Sequence, residues 1–102
     1  MRKAEVYQQG GFAGTLEEVH RGHYRFVYAN GYVGEPISLT LPIQEAPYEF
    51  DKFPPLFEGL LPEGPLLEAM LRRYKVDRKD MFQQLLIVGE DVVGSLTIRE
   101  VK

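Results

Sequence analysis

The chain has 102 residues, 44% apolar and 26% charged, with a formal net charge of −3 at neutral pH and no cysteine. This length supports one domain around a single core, and these proportions exclude a disordered chain. The acidic balance argues against direct binding of nucleic acid, the longest apolar run (Leu85 to Val88) is far too short to span a membrane, and the lack of cysteine removes disulfides, thiolate catalysis and sulfur-ligated metals.

Met1-Arg2-Lys3 leads into an alternating segment and not an apolar stretch, so no signal peptide is read and the expected compartment is the cytoplasm. Apolar and polar residues alternate from Ala4 to Gln8 and again from Phe12 to Glu17, which predicts two strands. Gln9-Gly10-Gly11 between them supplies the positive φ angles of a tight hairpin. A third strand is expected over Tyr24 to Ala29, with Tyr24, Phe26 and Tyr28 on one face, after a turn at His20-Arg21-Gly22-His23. Asn30-Gly31 is the strongest short hairpin signal in the chain. Tyr32 and Val33 are expected to return, and Ile37, Leu39 and Leu41 alternate with Ser38 and Thr40 until Pro42 closes that strand. Residues 4–41 thus predict an antiparallel meander with one buried face.

Residues 44–52 (QEAPYEFDK) break the pattern and are expected to be a surface loop. The stretch from Phe53 to Tyr74 then sets Pro54, Pro55, Pro62 and Pro65 among many leucines and phenylalanines, rigid φ angles among core-forming side chains. Two helical pieces divided by a corner at Gly59 to Gly64 are predicted, because Pro65 fits the first turn of a helix, where its missing N–H costs nothing. The helix after Pro65 carries Leu66, Leu67, Met70, Leu71 and Tyr74 at helical spacing, with Glu68 early and Arg72, Arg73 and Lys75 late, as the helix dipole favours. A second helix follows with Asp77 as N-cap, Met81, Phe82, Leu85 and Leu86 as its buried stripe and Gly89 as a left-handed stop. Glu90-Asp91 turns the chain into a last strand, Val92 to Ile98. The order predicts one α+β domain over residues 1–102: an antiparallel β-sheet, a meander plus a C-terminal strand, with helices packed on one side.

Candidate chemistry is sparse. His20 and His23 lie three apart near Glu17 and Glu18, but a hairpin guarantees no third ligand, so they read as turn histidines and not as a metal pair. Ser38 and Ser95, the only serines, are each expected inside an alternating strand and lack a base. Gly59 to Gly64 spaces its glycines as a phosphate loop does, yet Pro65-Leu66 stands where lysine and a hydroxyl residue are required. Glu58 and Glu63 flank the corner without a histidine, a lysine or a polar pocket, which favours solvated or partner-facing roles over acid–base catalysis. Tyr24, Phe26 and Tyr28 have the spacing of an RNA-stacking sheet but no basic surround, and core packing is the better reading. No cofactor and no metal is expected.

Four motifs occur in order over nearly the whole chain: Gly14-Thr15-Leu16, the Ser38 to Pro42 strand end, the Phe57 to Gly64 corner, and Gly89 to Leu96. With them the chain resembles the N-terminal domain of HipA-type serine/threonine kinases, the toxins of bacterial toxin–antitoxin systems. In those kinases a catalytic core follows, and 102 residues leave no room for an ATP loop, a catalytic aspartate or a metal-binding aspartate. Beginning at Met1 and ending after its last strand, the chain is expected to be a natural stand-alone unit. It therefore resembles the small HipS-type component of three-part systems, whose kinase lacks this piece.

That resemblance implies an antitoxin that binds a HipA-like (HipT-type) kinase and holds it inactive, in a complex with a helix-turn-helix DNA-binding protein of HipB type. A rigid apolar corner rimmed by carboxylates, without catalytic residues, agrees with a binding module. The residues expected to meet the partner are Phe57, Glu58, Leu60, Leu61, Pro62, Glu63, Pro65 and Leu66, pushed towards the active-site cleft so that lobe closure is impeded. The alternative is a structural subunit that completes the kinase fold without inhibiting it.

Overall fold

Gln9 and Gly10 both take positive φ, 50° and 85°. This is the pair a two-residue hairpin turn needs to match strand twist. The computed structural model describes residues 2–89 and 95–101. Around that turn, β1 (Arg2–Gln8) pairs antiparallel with β2 (Gly11–His20), which pairs in turn with β3 (His23–Tyr28). β4 (Tyr48–Phe50) lies beside β3, and the last strand, β5 (Leu96–Glu100), lies on the other side of β1. Among the described residues the sheet has five strands in the order β4-β3-β2-β1-β5, all antiparallel.

The pleat sorts this sheet into two faces. Ala4, Val6, Leu16, Phe26, Tyr28, Leu96 and Ile98 face the helices and are buried. On the opposite face the register aligns Lys3, Glu17, Arg25 and Glu49 in one row across four strands, with alternating charge. Gly14 belongs to the buried face because a Cβ there would come within 2.3 Å of the Val27 carbonyl and 2.8 Å of the Phe26 ring.

The meander ends sooner than its sequence predicts. At Asn30-Gly31 a turn forms, with Tyr32 N–H donating to the Ala29 carbonyl at 3.0 Å, but only Gly31 takes positive φ. A hairpin turn of the expected type requires it at both central residues, so the chain leaves the sheet and Tyr32 and Val33 form no strand. Ile37 to Leu41 is a tight turn and not a strand. Leu41 N–H bonds the Ser38 carbonyl at 3.1 Å, Ser38 Oγ accepts from Thr40 N–H at 3.2 Å, and Leu39 at the tip is 100% exposed while Ile37 and Leu41 are buried. Local hydroxyl bonding has displaced the ladder. The buried Tyr28 hydroxyl pins both ends of that turn, accepting from Ile37 N–H at 3.0 Å and donating to the Leu41 carbonyl. Strand pairing resumes where a surface loop is expected, at Tyr48–Phe50: Tyr48 and Phe50 pack against the core, and Glu49 reaches Arg25 on the other face.

Pro54 and Pro55 start α1 (Pro55–Glu58), a single turn. α2 (Gly64–Tyr74) has Pro65 in its first turn, as expected. Its apolar face is less buried than its spacing predicts: Met70 and Leu71 are buried, Leu66 and Tyr74 are exposed, and neither buried residue belongs to the main core. Glu68 sits past the first turn and pairs with Arg78 instead of serving the helix dipole. Lys75 ends the helix in the left-handed region. The cap of α3 (Met81–Val88) is Asp80 and not Asp77: Asp80 Oδ1 accepts from Gln83 N–H at 3.2 Å, while Asp77 binds Lys79 N–H one turn earlier. Phe82 and Leu85 are buried, with Met81 and Leu86 packed beside them, as predicted. Gly89 is right-handed, φ −61°, so it is no left-handed stop. The expected turn at Glu90-Asp91 and the Val92 to Gly94 portion of the last strand lie outside the described residues. Phe57 from α1 with Phe82 and Leu85 from α3 closes the core over the sheet, an α+β arrangement.

Candidate functional site

The corner between α1 and α2 is built by the backbone. Glu58 N–H donates to the Pro54 carbonyl, Gly59 N–H to Pro55, Leu60 N–H to Phe57 and Leu61 N–H to Glu58, all at 3.0 to 3.1 Å. The helical turn therefore runs on past Glu58 before Pro62 stops it. Gly64 then takes φ 59°, in the left-handed region that glycine enters at least steric cost, and redirects the chain into α2.

This geometry divides the eight residues expected to meet a partner. Phe57 is 0% exposed and tilts against the Phe26 ring with centroids 6.2 Å apart. It is a core residue and is removed from the partner-facing set, because its side chain cannot be reached without unfolding α1. Leu60, Leu61 and Pro62 are half-buried. Glu58, Glu63, Pro65 and Leu66 are exposed, Leu66 at 73%. Glu58 and Glu63 form no ion pair among the described residues, so their charges are available to a visitor. Leu61, Pro62 and Leu67 line a shallow cavity of about 180 Å³ with Arg78 and Gln84 of the next segment.

Gln84 and Arg2 support this region, and neither stands out in the sequence. Gln84 is buried within the α3 stripe and donates through Nε2 to the Asp77 and Arg78 carbonyls at 3.2 and 2.9 Å, tying down the α2–α3 connection. Arg2 grips Glu18 at 2.8 Å and Asp80 at 2.9 Å and lies over the Phe82 ring. Its guanidinium is held firmly protonated by Glu18 and Asp80. Only the alternation of an arginine with an otherwise apolar strand face could have flagged it.

The other candidates do not assemble into chemistry. His20 and His23 stack with ring centroids 5.2 Å apart, and His23 Nε2 lies 2.7 Å from Glu49 Oε1. Arg25 and then His23 hold Glu49 below the usual carboxylate range. No group of three or more potential metal ligands converges among the described residues. Ser38 and Ser95 both lie outside the named strands, contrary to expectation: Ser38 bonds Thr40, and the Ser95 carbonyl accepts from Gln9 N–H at 2.8 Å. Tyr24, Phe26 and Tyr28 pack into the core, Phe26 edge-on to Tyr28. No described helix is long and apolar enough to cross a membrane.

The sequence pattern of the HipA N-terminal domain matches residues 4–99. The chain belongs to the HipA N-terminal domain family. A solved structure of the N-terminal domain of HipA toxin superposes with a TM-score of 0.78 at 33% identity, covering 100% of this chain and 94% of that one. An uncharacterized protein of Haemophilus influenzae is 39% identical over 102 residues, covering 100% of this chain and 95% of its own length. The HipA N-terminal fold also recurs in a structure of the Shewanella oneidensis MR-1 toxin–antitoxin system, HipA and HipB with operator DNA, with a TM-score of 0.71 at 19% identity. That match covers 94% of this chain but 23% of the other.

Proposed function

We propose that this HipA N-terminal domain acts as a non-catalytic, partner-binding component of a HipA-type toxin–antitoxin system in the cytoplasm. It binds a HipA-like kinase and holds it inactive, in an assembly that also contains a HipB-type helix-turn-helix protein. The observation that carries this reading is the division of the corner: Phe57 anchors it in the core while Glu63, at the cap of α2, and Pro65 and Leu66, in its first turn, are left exposed. An apolar side chain exposed beside unpaired carboxylates suits a docking surface and contributes nothing to folding. The size of the Haemophilus relative supports a domain that occurs without an attached kinase core. In the mechanism we favour, residues Leu60 to Leu66 are presented towards the kinase cleft and hinder lobe closure, which phosphoryl transfer requires.

A second reading has its own support: the same fold forms a minor part of a longer chain in the Shewanella complex, so the domain could complete a kinase without inhibiting it. Co-expression separates the two. Cells expressing the HipA-like kinase encoded beside this chain are grown with and without it, and the complex is recovered from the same cells. Restored growth with co-purification is expected, and Leu66→Asp or Glu63→Arg should abolish both. Co-purification without rescue selects the structural subunit, and absence of both rejects partner binding.

A further inference from the structure

A second surface lies around the edge of the sheet from the corner. Between the β2–β3 turn, the segment after β4 and the start of α3 runs an open groove of about 710 Å³. Its wall is aromatic and rigid, with Tyr24 packed edge-on to Phe53 at 5.3 Å between centroids, and Phe50 and Met81 extend the apolar surface. Glu58 and Met81 line both this groove and the cavity at the corner, so the two depressions are neighbours on the surface.

The rim is charged unevenly. Glu49 is already satisfied by Arg25 at 2.8 Å and His23 at 2.7 Å. Asp51 is different: its side chain is 99% exposed and, among the described residues, pairs only with His23, at 3.5 Å. Glu58 has no ion pair among the described residues. Against these two available carboxylates the rim offers one cation, Lys52.

We propose that this groove receives an extended protein segment in which a lysine or arginine stands next to an aliphatic or aromatic side chain. The apolar member covers the half-buried Tyr24, Phe50 and Met81, which the buried Phe53 backs. The aliphatic stem of the basic residue lies along the same wall while its head reaches Asp51 or Glu58. An acidic segment meets like charge, and a nucleic acid meets it at every phosphate. The inference stands apart from the kinase reading: of the residues expected to meet the kinase it shares only Glu58, and it is tested without a kinase.

The experiment is a heteronuclear NMR titration of the full chain with two synthetic peptides, one containing Leu-Arg-Phe-Lys and one with glutamates in place of its basic residues. Saturable shifts of the Asp51, Lys52, Phe53, Glu58 and Met81 amides are expected with the basic peptide, and about tenfold weaker binding with the acidic one. The double variant Asp51→Lys, Glu58→Lys, altered at two exposed positions, should lose affinity for the basic peptide about tenfold and reverse the preference. Equal binding of both peptides, shifts confined to other surfaces, no saturable shift, or preferential binding of a thymidine oligonucleotide overturns the proposal. If the double variant fails to fold, the peptide comparison on the native chain decides alone.

Discussion

Arg2 joins three parts of the chain through one guanidinium: Glu18 across the β1–β2 ladder, Asp80 at the cap of α3, and the face of Phe82 in the core at 5.1 Å. The value of Asp80 lies in its double role, as acceptor for Gln83 N–H and as partner of Arg2. Burial pushes its carboxyl up, but the Arg2 and Gln83 bonds outweigh this and the net value falls below the usual range. Glu49 is displaced in the same direction by Arg25 and His23. A carboxylate whose folded pKa is depressed contributes stability that is complete above its unfolded value, about 4, and is lost as pH falls through the folded one. Urea unfolding should therefore show a plateau at neutral pH and a decline below about pH 4. Asp80→Asn keeps a capping oxygen, removes the charge, and should cost about 1 kcal/mol at pH 7 while flattening the acid limb; Asp80→Ala should cost about 1 kcal/mol more by losing the cap. Equal loss from both variants would show that the cap contributes nothing. None of this is legible in the sequence, because Arg2 and Asp80 are 78 residues apart and Asp77 offers an equally good capping residue nearby.

At the scale of elements, what repeats in sequence was legible and what depends on a neighbour was not. β1, β2, β3, α2 and α3 all declare themselves by period or by punctuation. Residues 32–41 mislead, since Ile37, Leu39 and Leu41 alternate as a strand does while hydroxyl bonds fold them into a turn. β4 went unread because a three-residue strand after Pro47 carries too little pattern, and only its pairing with β3 reveals it. Gly89 is the sharpest case. A helix-ending glycine suggests a left-handed φ, yet here it serves the seam between α3 and β5. A Cβ at Gly89 would lie 2.5 Å from Ile98 Cβ, 2.7 Å from the Ile98 carbonyl oxygen and 2.8 Å from that of Leu85. The Ile98 N–H also donates to the Gly89 carbonyl at 2.9 Å, so the two elements cannot separate cheaply. Gly89→Ala is expected to destabilise the domain by about 2 kcal/mol or more through overpacking against backbone. Gly59→Ala is the control: its Cβ would meet only carbonyl oxygens at 3.5 and 3.6 Å, at φ −64°, and it should be neutral or stabilising by about 0.5 kcal/mol. Urea midpoints of the two variants test the contrast, and a Gly89→Ala midpoint equal to that of the native chain would remove the seam from the account.

For the molecule as a whole, the corner sequence reads as one motif but performs two tasks on opposite sides of a single turn. Phe57 fills the core between Phe26 and α3, whereas Leu66, nine positions later, is 73% exposed on a helix whose buried residues stand apart from that core. Sequence alone could not divide them, since both are large apolar residues beside prolines and the division depends on the turn of chain at Gly64. The consequence is that stability and partner binding should come apart under mutation. Phe57→Ala removes a fully buried ring and should cost about 3–5 kcal/mol, a large share of the roughly 5–15 kcal/mol that holds a domain of this size together. Leu66→Asp changes an exposed position and should stay within about 0.5 kcal/mol, a shift of at most about 4 °C in Tm. Binding to the kinase partner should rank the other way: Leu66→Asp loses co-purification while its thermal unfolding is native-like, and any loss with Phe57→Ala tracks its unfolded fraction and recovers on cooling. Thermal unfolding and pull-down measured on the same two preparations check this. Native-like recovery of the complex by Leu66→Asp would move the docking surface off α2 and leave the groove beneath Tyr24 and Met81 as the face that a partner engages.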